Sequence, residues 1–236
     1  MLLTKLKNNK NLQFFICFGG ILFLDAYLSH LQMDQWRYLS KPLIMISLLG
    51  YFVAHKKSMS KKIFLWGALA MIFSLAGDVF LMFNSEIPAF FIVGLGSFLI
   101  AHLFYITIFI KQRNKNLPFK WGSLARLVFY AWLMGYLIVD KTGDLLVPVM
   151  VYIAVITAMA FVSLLRKGVV LTNSYASGVI GARLFLASDS LLALSMFTDK
   201  LPEVSFLIMG TYGLAQALIA YSLVHSEKVS LSNKKL

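Results

Sequence analysis

The sequence predicts an all-α polytopic membrane protein: a bundle of eight transmembrane helices forming a single integral membrane domain over residues 1–236. Three observations carry that reading. Hydrophobic residues make up 59% of the chain, and mean hydropathy is +0.78. Only 14% of residues are charged, against about 25% in soluble globular domains. The chain also divides into eight largely apolar stretches, each close to the roughly 20 residues that a spanning helix needs.

The stretches run at about 12–30, 38–55, 62–83, 89–110, 121–139, 145–166, 174–197 and 203–225. The first follows lysines, as a secretory signal would, but no small-x-small cleavage site follows it, so it reads as a retained span. Pro42 is expected to open the second helix. Asn84-Ser85-Glu86-Ile87-Pro88 is a short spacer that makes the third and fourth helices a tight antiparallel pair. Lys56-Lys57-Ser58 and the run Lys111 to Asn116 break the chain elsewhere, and Pro148 opens the sixth helix.

Charge alternates from loop to loop. One side receives the basic residues between Lys5 and Lys10, Lys56 and Lys62, Lys111 and Lys120, then Arg166, Lys167, Lys228, Lys234 and Lys235. The other receives Arg37, Lys41, Lys141 and Lys200, together with Asp34, Glu86, Asp140, Asp144, Asp199 and Glu203. By the positive-inside rule both termini are expected in the cytoplasm. The same rule accounts for the net charge of +12 without a nucleic-acid partner. Cys17 is the single cysteine, which rules out a disulfide framework or thiolate cluster.

Two apolar runs each hold one carboxylate: Phe73 to Met82 with Asp78, and Ala182 to Leu192 with Asp189. An ionisable residue inside a span is costly and marks a functional site by default. Each lies roughly 15 residues along an outward-running helix, about 22 Å at 1.5 Å per residue, so both fall in one layer of the outer half. Asp25 lies at a comparable level, and Lys41 can reach toward it. A weak internal likeness relates the halves. Ala76-Gly77-Asp78 answers to Ala187-Ser188-Asp189, and Ala101-His102 to Ala215-Gln216. Four spans in each half suit a parallel repeat that would set the two aspartates across a central cavity.

Two carboxyls sharing a low-dielectric site cannot both ionise cheaply, so one protonated acid beside one carboxylate is expected. That pair suits a reaction through an oxocarbenium ion. The plain alternative is a pair of structural aspartates held by neighbours such as Ser74 or Ser190. His102 and Tyr105 share one face of the fourth helix, Tyr212 and Gln216 form an i,i+4 stripe on the eighth, and Tyr152 adds a hydroxyl on the sixth. Helix–helix hydrogen bonding explains such groups equally well. Gly94, Ser97 and Ala101 read as a packing stripe. Arg183, near mid-span, faces away from Asp189 and could meet a lipid phosphate or a carboxylate on another helix. There is no G-x-S-x-G, H-E-x-x-H, P-loop or metal-ligand cluster. The Gly-x-Gly-Asp signature of intramembrane aspartyl proteases is missing its first glycine, replaced by Leu75.

Several motifs together resemble the YhhN family, which includes the lysoplasmalogenases. They are Lys41-Pro42-Leu43, Leu75 to Asp78, Gly94 to Phe98 with Ala101-His102 and Tyr105, and Val147-Pro148-Val149 with Tyr152. Gly181-Ala182 with Leu186 to Ser190, and Thr211-Tyr212 with Ala215-Gln216, complete the set. The resemblance runs from about Lys41 to Tyr221. Arg183 departs from the family pattern and takes no role from it.

The resemblance implies an alkenyl ether hydrolase that cleaves the sn-1 vinyl ether of a lysoplasmalogen with water. The products would be a fatty aldehyde and glycerophosphoethanolamine or glycerophosphocholine. On this reading Asp78 and Asp189 are catalytic, and Lys41, His102, Tyr105, Tyr152, Tyr212 and Gln216 line the site or hold the head group. The partners are the lysophospholipid, water and membrane lipid, with no cofactor, metal or nucleic acid. The short loops suit a bacterial inner membrane. A proton-coupled lipid or small-molecule transporter, with the aspartates as coupling groups, is the competing expectation.

Overall fold

A computed structural model describes residues 10–198 and 204–226. Among the described residues the architecture is all-helical, with eight α-helices and four short 3-10 turns. The helices are α1 (Lys10–His30), α2 (Asp34–Ala54), α3 (Lys61–Met82), α4 (Ala89–Lys111), α5 (Trp121–Ile138), α6 (Leu146–Ser163), α7 (Thr172–Phe197) and α8 (Val204–Val224). Lys5, Lys7, Asp199, Lys200, Glu203, Lys228, Lys234 and Lys235, which entered the charge argument, lie outside the described residues.

Seven of these helices are long and apolar enough to cross a membrane. The other is α2, whose first eight residues hold Asp34, Arg37 and Lys41. It begins earlier than expected, so Pro42 lies inside the helix rather than opening it. A proline costs a helix one donor but does not stop the turns before it from forming. The longer helix sets Arg37 and Lys41 one turn apart on one face. The other boundaries lie close to expectation. Ser60 caps α3 by accepting from the Ile63 N–H at 3.4 Å.

Two hairpins dominate the packing, α3 on α4 and α7 on α8. Small residues make both possible. A Cβ at Gly77 would come within 2.6 Å of the Phe98 ring, and one at Gly94 within 2.9 Å of Leu81, so the Gly94–Ser97–Ala101 face does pack α4 on α3. At Gly181 a Cβ would meet Ile219 Cγ1 at 2.9 Å and the Ala215 carbonyl oxygen at 3.0 Å. Close backbone approach of this kind drives helix association where lipid removes the hydrophobic effect. Around the hairpins α1 packs on α2 and α8, α2 on α3, α4 on α6, and α6 on α7. More than half of α8 is buried, whereas α5 is peripheral and leaves Trp132 and Tyr136 exposed.

Arg166, expected in a basic loop, is instead fully buried. It donates from Nε to Gln112 Oε1 at 2.8 Å, from Nη1 to Ser222 Oγ at 2.9 Å and from Nη2 to Ser174 Oγ at 3.1 Å. Its guanidinium lies 4.7 Å from the Phe109 ring centroid. The planar fork thus ties the ends of α4, α7 and α8 to the turn after α6.

Two outcomes follow for stability in detergent, each read from thermal unfolding. Gly181→Ala forces α7 from α8 and costs about 1–3 kcal/mol, whereas Gly50→Ala, where a Cβ meets nothing within 4 Å, is neutral. Arg166→Ala leaves the buried Gln112 amide oxygen without its donor, while Ser174 and Ser222 keep their bonds to each other's carbonyls, and costs about 1–3 kcal/mol.

Candidate active site

Asp78 and Asp189 line one cavity of about 190 Å³, together with Lys41, Tyr152 and Tyr212. Most of its remaining wall is apolar, including Phe98, Ile156 and Leu186, with Asn84, Ser188 and Ser190 adding polar groups. Six of the eight helices, α3 to α8, contribute to the lining, and Lys41 adds α2.

Each carboxylate has its own phenol. The Tyr212 hydroxyl donates to Asp78 Oδ2 at 2.6 Å, and the Tyr152 hydroxyl donates to Asp189 Oδ2. Lys41 Nζ lies 3.8 Å from Asp78 Oδ1. Among the described residues no cation stands in ion-pair reach of Asp189. The two acids are therefore held differently, one against a cation and a phenol, the other against a phenol alone. The serine alternative does not hold at Ser190, whose hydroxyl donates to its own helix at the Leu186 carbonyl, 2.7 Å away. Ser188 steadies the Asp189 turn by donating to the Ile208 carbonyl on α8 at 3.0 Å.

The other expected site residues separate by position. Lys41, Tyr152 and Tyr212 reach the cavity. Tyr105 and Gln216 stand behind it, both fully buried. Tyr105 donates to Gln216 Oε1 at 2.9 Å, and Gln216 Nε2 lies 3.5 Å from the Tyr212 hydroxyl. The chain Tyr105–Gln216–Tyr212–Asp78 thus crosses from α4 through α8 to α3. His102 is fully buried, with its ring edge-on to Tyr152 and to Phe185 at centroid distances of 5.4 and 4.6 Å. It braces the Tyr152 ring and is not part of the cavity lining.

Asp25 is a third buried carboxylate, and it belongs to the α1–α2 contact. Ser40 donates to its Oδ1 at 2.5 Å, and Arg37 Nε lies 3.9 Å from the same oxygen. Arg37 and Ser40 were not singled out from the sequence, although the i,i+4 spacing of Arg37 and Lys41 was there to read. Arg183 is exposed and lines, with Arg126, a groove that adjoins the cavity. Among the described residues no three His, Cys, Asp or Glu side chains converge on a metal position.

The arrangement offers a carboxylate paired with a cation, a second carboxyl with a hydroxyl donor, and an apolar chamber between them. It can donate a proton and stabilise a developing cation without a nucleophile. In the thermal test, Gln216→Leu strands the buried Tyr105 hydroxyl and costs about 1–3 kcal/mol. The double variant Tyr105→Phe with Gln216→Leu recovers part of that loss, because both partners are then apolar.

The YhhN family model matches residues 36–223. The lysoplasmalogenase TMEM86A of Bos taurus is 30% identical over 183 residues, 76% of this chain and 71% of the relative. The lysoplasmalogenase TMEM86B of Homo sapiens is 30% identical over 196 residues, 83% and 78%. A lysoplasmalogenase of Mycobacterium bovis is 29% identical over 162 residues, 65% and 58%. No solved structure matches the chain.

Proposed function

The chain belongs to the YhhN family, and we propose that it is an integral multi-pass membrane hydrolase that cleaves the sn-1 vinyl ether of lysoplasmalogens. The relatives named as lysoplasmalogenases support the substrate class. The single observation that carries the chemistry is two carboxylates on one apolar cavity, only one of them beside a cation.

Vinyl ether hydrolysis begins with slow protonation of the β-carbon. Asp189, hydrogen-bonded by Tyr152 and without a nearby cation, serves as the acid. Its proton goes to the β-carbon, the π pair forms the new C–H bond, and positive charge appears on the α-carbon and ether oxygen. Asp78, kept as a carboxylate by Lys41 and Tyr212, faces that oxocarbenium ion and stabilises it. Water adds to the α-carbon, and its proton returns to Asp189. The hemiacetal then collapses to a fatty aldehyde and glycerophosphoethanolamine or glycerophosphocholine. Lys41 and the two tyrosines contact the reacting region, while Tyr105, Gln216 and His102 act through Tyr212 and Tyr152.

Eight crossings with both termini cytoplasmic complete the reading, with α2 as the eighth span; the alternation of charge between loops supports this. So does the short connection between most helices, which also suits a bacterial inner membrane.

The test is aldehyde release from lysoplasmenylethanolamine by the purified protein in detergent. Asp78→Asn and Asp189→Asn each lower kcat by about 100-fold or more. Full turnover by either variant would refute the mechanism. Absence of aldehyde from the wild type, with proton-dependent lipid flux in vesicles, would point to a carrier instead.

A further inference from the structure

Arg126 on α5 and Arg183 on α7 face a groove of about 550 Å³, lined also by Ser123, Tyr130, Leu164 and Leu186. Both arginines are exposed. Among the described residues neither has a carboxylate within ion-pair reach, and Arg126 reaches only Ser123 Oγ, at 3.4 Å. Two like charges on the surface of apolar helices are expensive at membrane depth unless an anion joins them. That removes one of the two partners considered for Arg183 from sequence, a carboxylate on a neighbouring helix, and leaves a lipid phosphate.

The groove does not stand apart from the carboxylates. Tyr130 and Leu186 line both it and the Asp78–Asp189 cavity. Along α7 the order is Arg183, Leu186, Asp189, then Ala193 and Phe197, the last three on the apolar cavity. Arg183 is six residues before Asp189, about 9 Å along the axis. In a lysoplasmalogen the phosphorus is seven covalent bonds from the β-carbon that takes the proton, about 8–9 Å when extended. An arginine side chain spans the remaining distance. Polar head, scissile bond and apolar tail of the lipid thus meet arginines, carboxylates and apolar chamber in the same order.

We propose that Arg126 and Arg183 form the phosphodiester-binding subsite for the head group of the lysophospholipid whose vinyl ether lies at Asp78 and Asp189. Two guanidinium forks match the planar, bidentate recognition of a phosphate. The inference rests on the hydrolase reading of the cavity, and its test separates the two.

Turnover is compared on lysoplasmenylethanolamine and on 1-alkenylglycerol, the same chain without phosphate. Binding of a saturated 1-alkyl lysophospholipid, which cannot be cleaved, is measured alongside. Wild type favours the phosphate-bearing ligand in both. Arg183→Leu and Arg126→Leu each reduce that preference about tenfold, Arg183→Lys restores part of it, and Arg113→Gln, an exposed charge outside the groove, leaves it as in wild type. A preference unchanged in both leucine variants overturns the subsite while leaving the hydrolase intact. Arginine-dependent binding with no aldehyde from either substrate keeps the subsite and overturns the hydrolase. Displacement of the alkyl lysophospholipid by inorganic phosphate alone, or equally well by a diacyl phospholipid, identifies a free-anion or bulk-lipid site and overturns the proposal.

Discussion

Asp78 takes no hydrogen bond from the helix that carries it. The backbone of α3 is committed to its own hydrogen bonds, and the buried Ser74 hydroxyl one turn earlier does not bond the carboxylate. The carboxylate must therefore be satisfied from other helices, since an unpaired charge in a low-dielectric interior is prohibitive. Lys41 arrives from α2 and Tyr212 from α8, and Tyr212 is itself positioned by Gln216 and Tyr105. One acidic group thus sets the axial position of α2, α4 and α8 relative to α3. Helices that slid by a turn would break several of these bonds at once, so the network specifies register more than it adds stability.

The network is reachable because the helices come close. Gly77, Gly94 and Gly181 remove the side chains that would hold each hairpin open, and the cavity lies between the two hairpins rather than inside either. The same spacing explains the role of α5, which is mostly exposed and closes the cavity with Tyr130, Ala131 and Met134. At the other end of the bundle Arg166 does what Asp78 does, joining four segments through one charged side chain.

Much of this was legible in the sequence. Hydropathy located the helices, because membrane depth allows few other structures. Rarity of charge located Asp78 and Asp189. Spacing on one face found Tyr212 and Gln216 as a pair. What periodicity does not carry is which partner a side chain meets on another helix. Tyr105 and Gln216 were read as lining residues and stand behind the cavity, since a hydrogen-bond chain and a pocket wall look alike along one helix. Arg166 looked like one more loop charge, because the positive-inside pattern gives a buried arginine at a span end the same signature as an exposed one. The start of α2 was missed because Asp34 to Lys41 is too polar to register as a span.

The pairings of successive helices are compatible with the expected parallel repeat, although α1 packs on α8 while α4 and α5 make no comparable contact among the described residues. The α3–α4 hairpin answers to α7–α8, α1–α2 to α5–α6, and α2–α3 to α6–α7. Under that correspondence Asp78 and Asp189 occupy equivalent positions, and the helix preceding each supplies a partner: Lys41 on α2 for one, Tyr152 on α6 for the other. A duplicated architecture left alone would give two identical acids, and two identical acids make a poor catalyst for protonating carbon and then stabilising the cation that results. The reaction needs one group that gives a proton and one that stays charged. Each acid has a tyrosine, and Lys41 beside Asp78 alone would supply that difference. On the proposed mechanism it is this one cation, and not the depth of the carboxylates, that gives Asp78 and Asp189 different work.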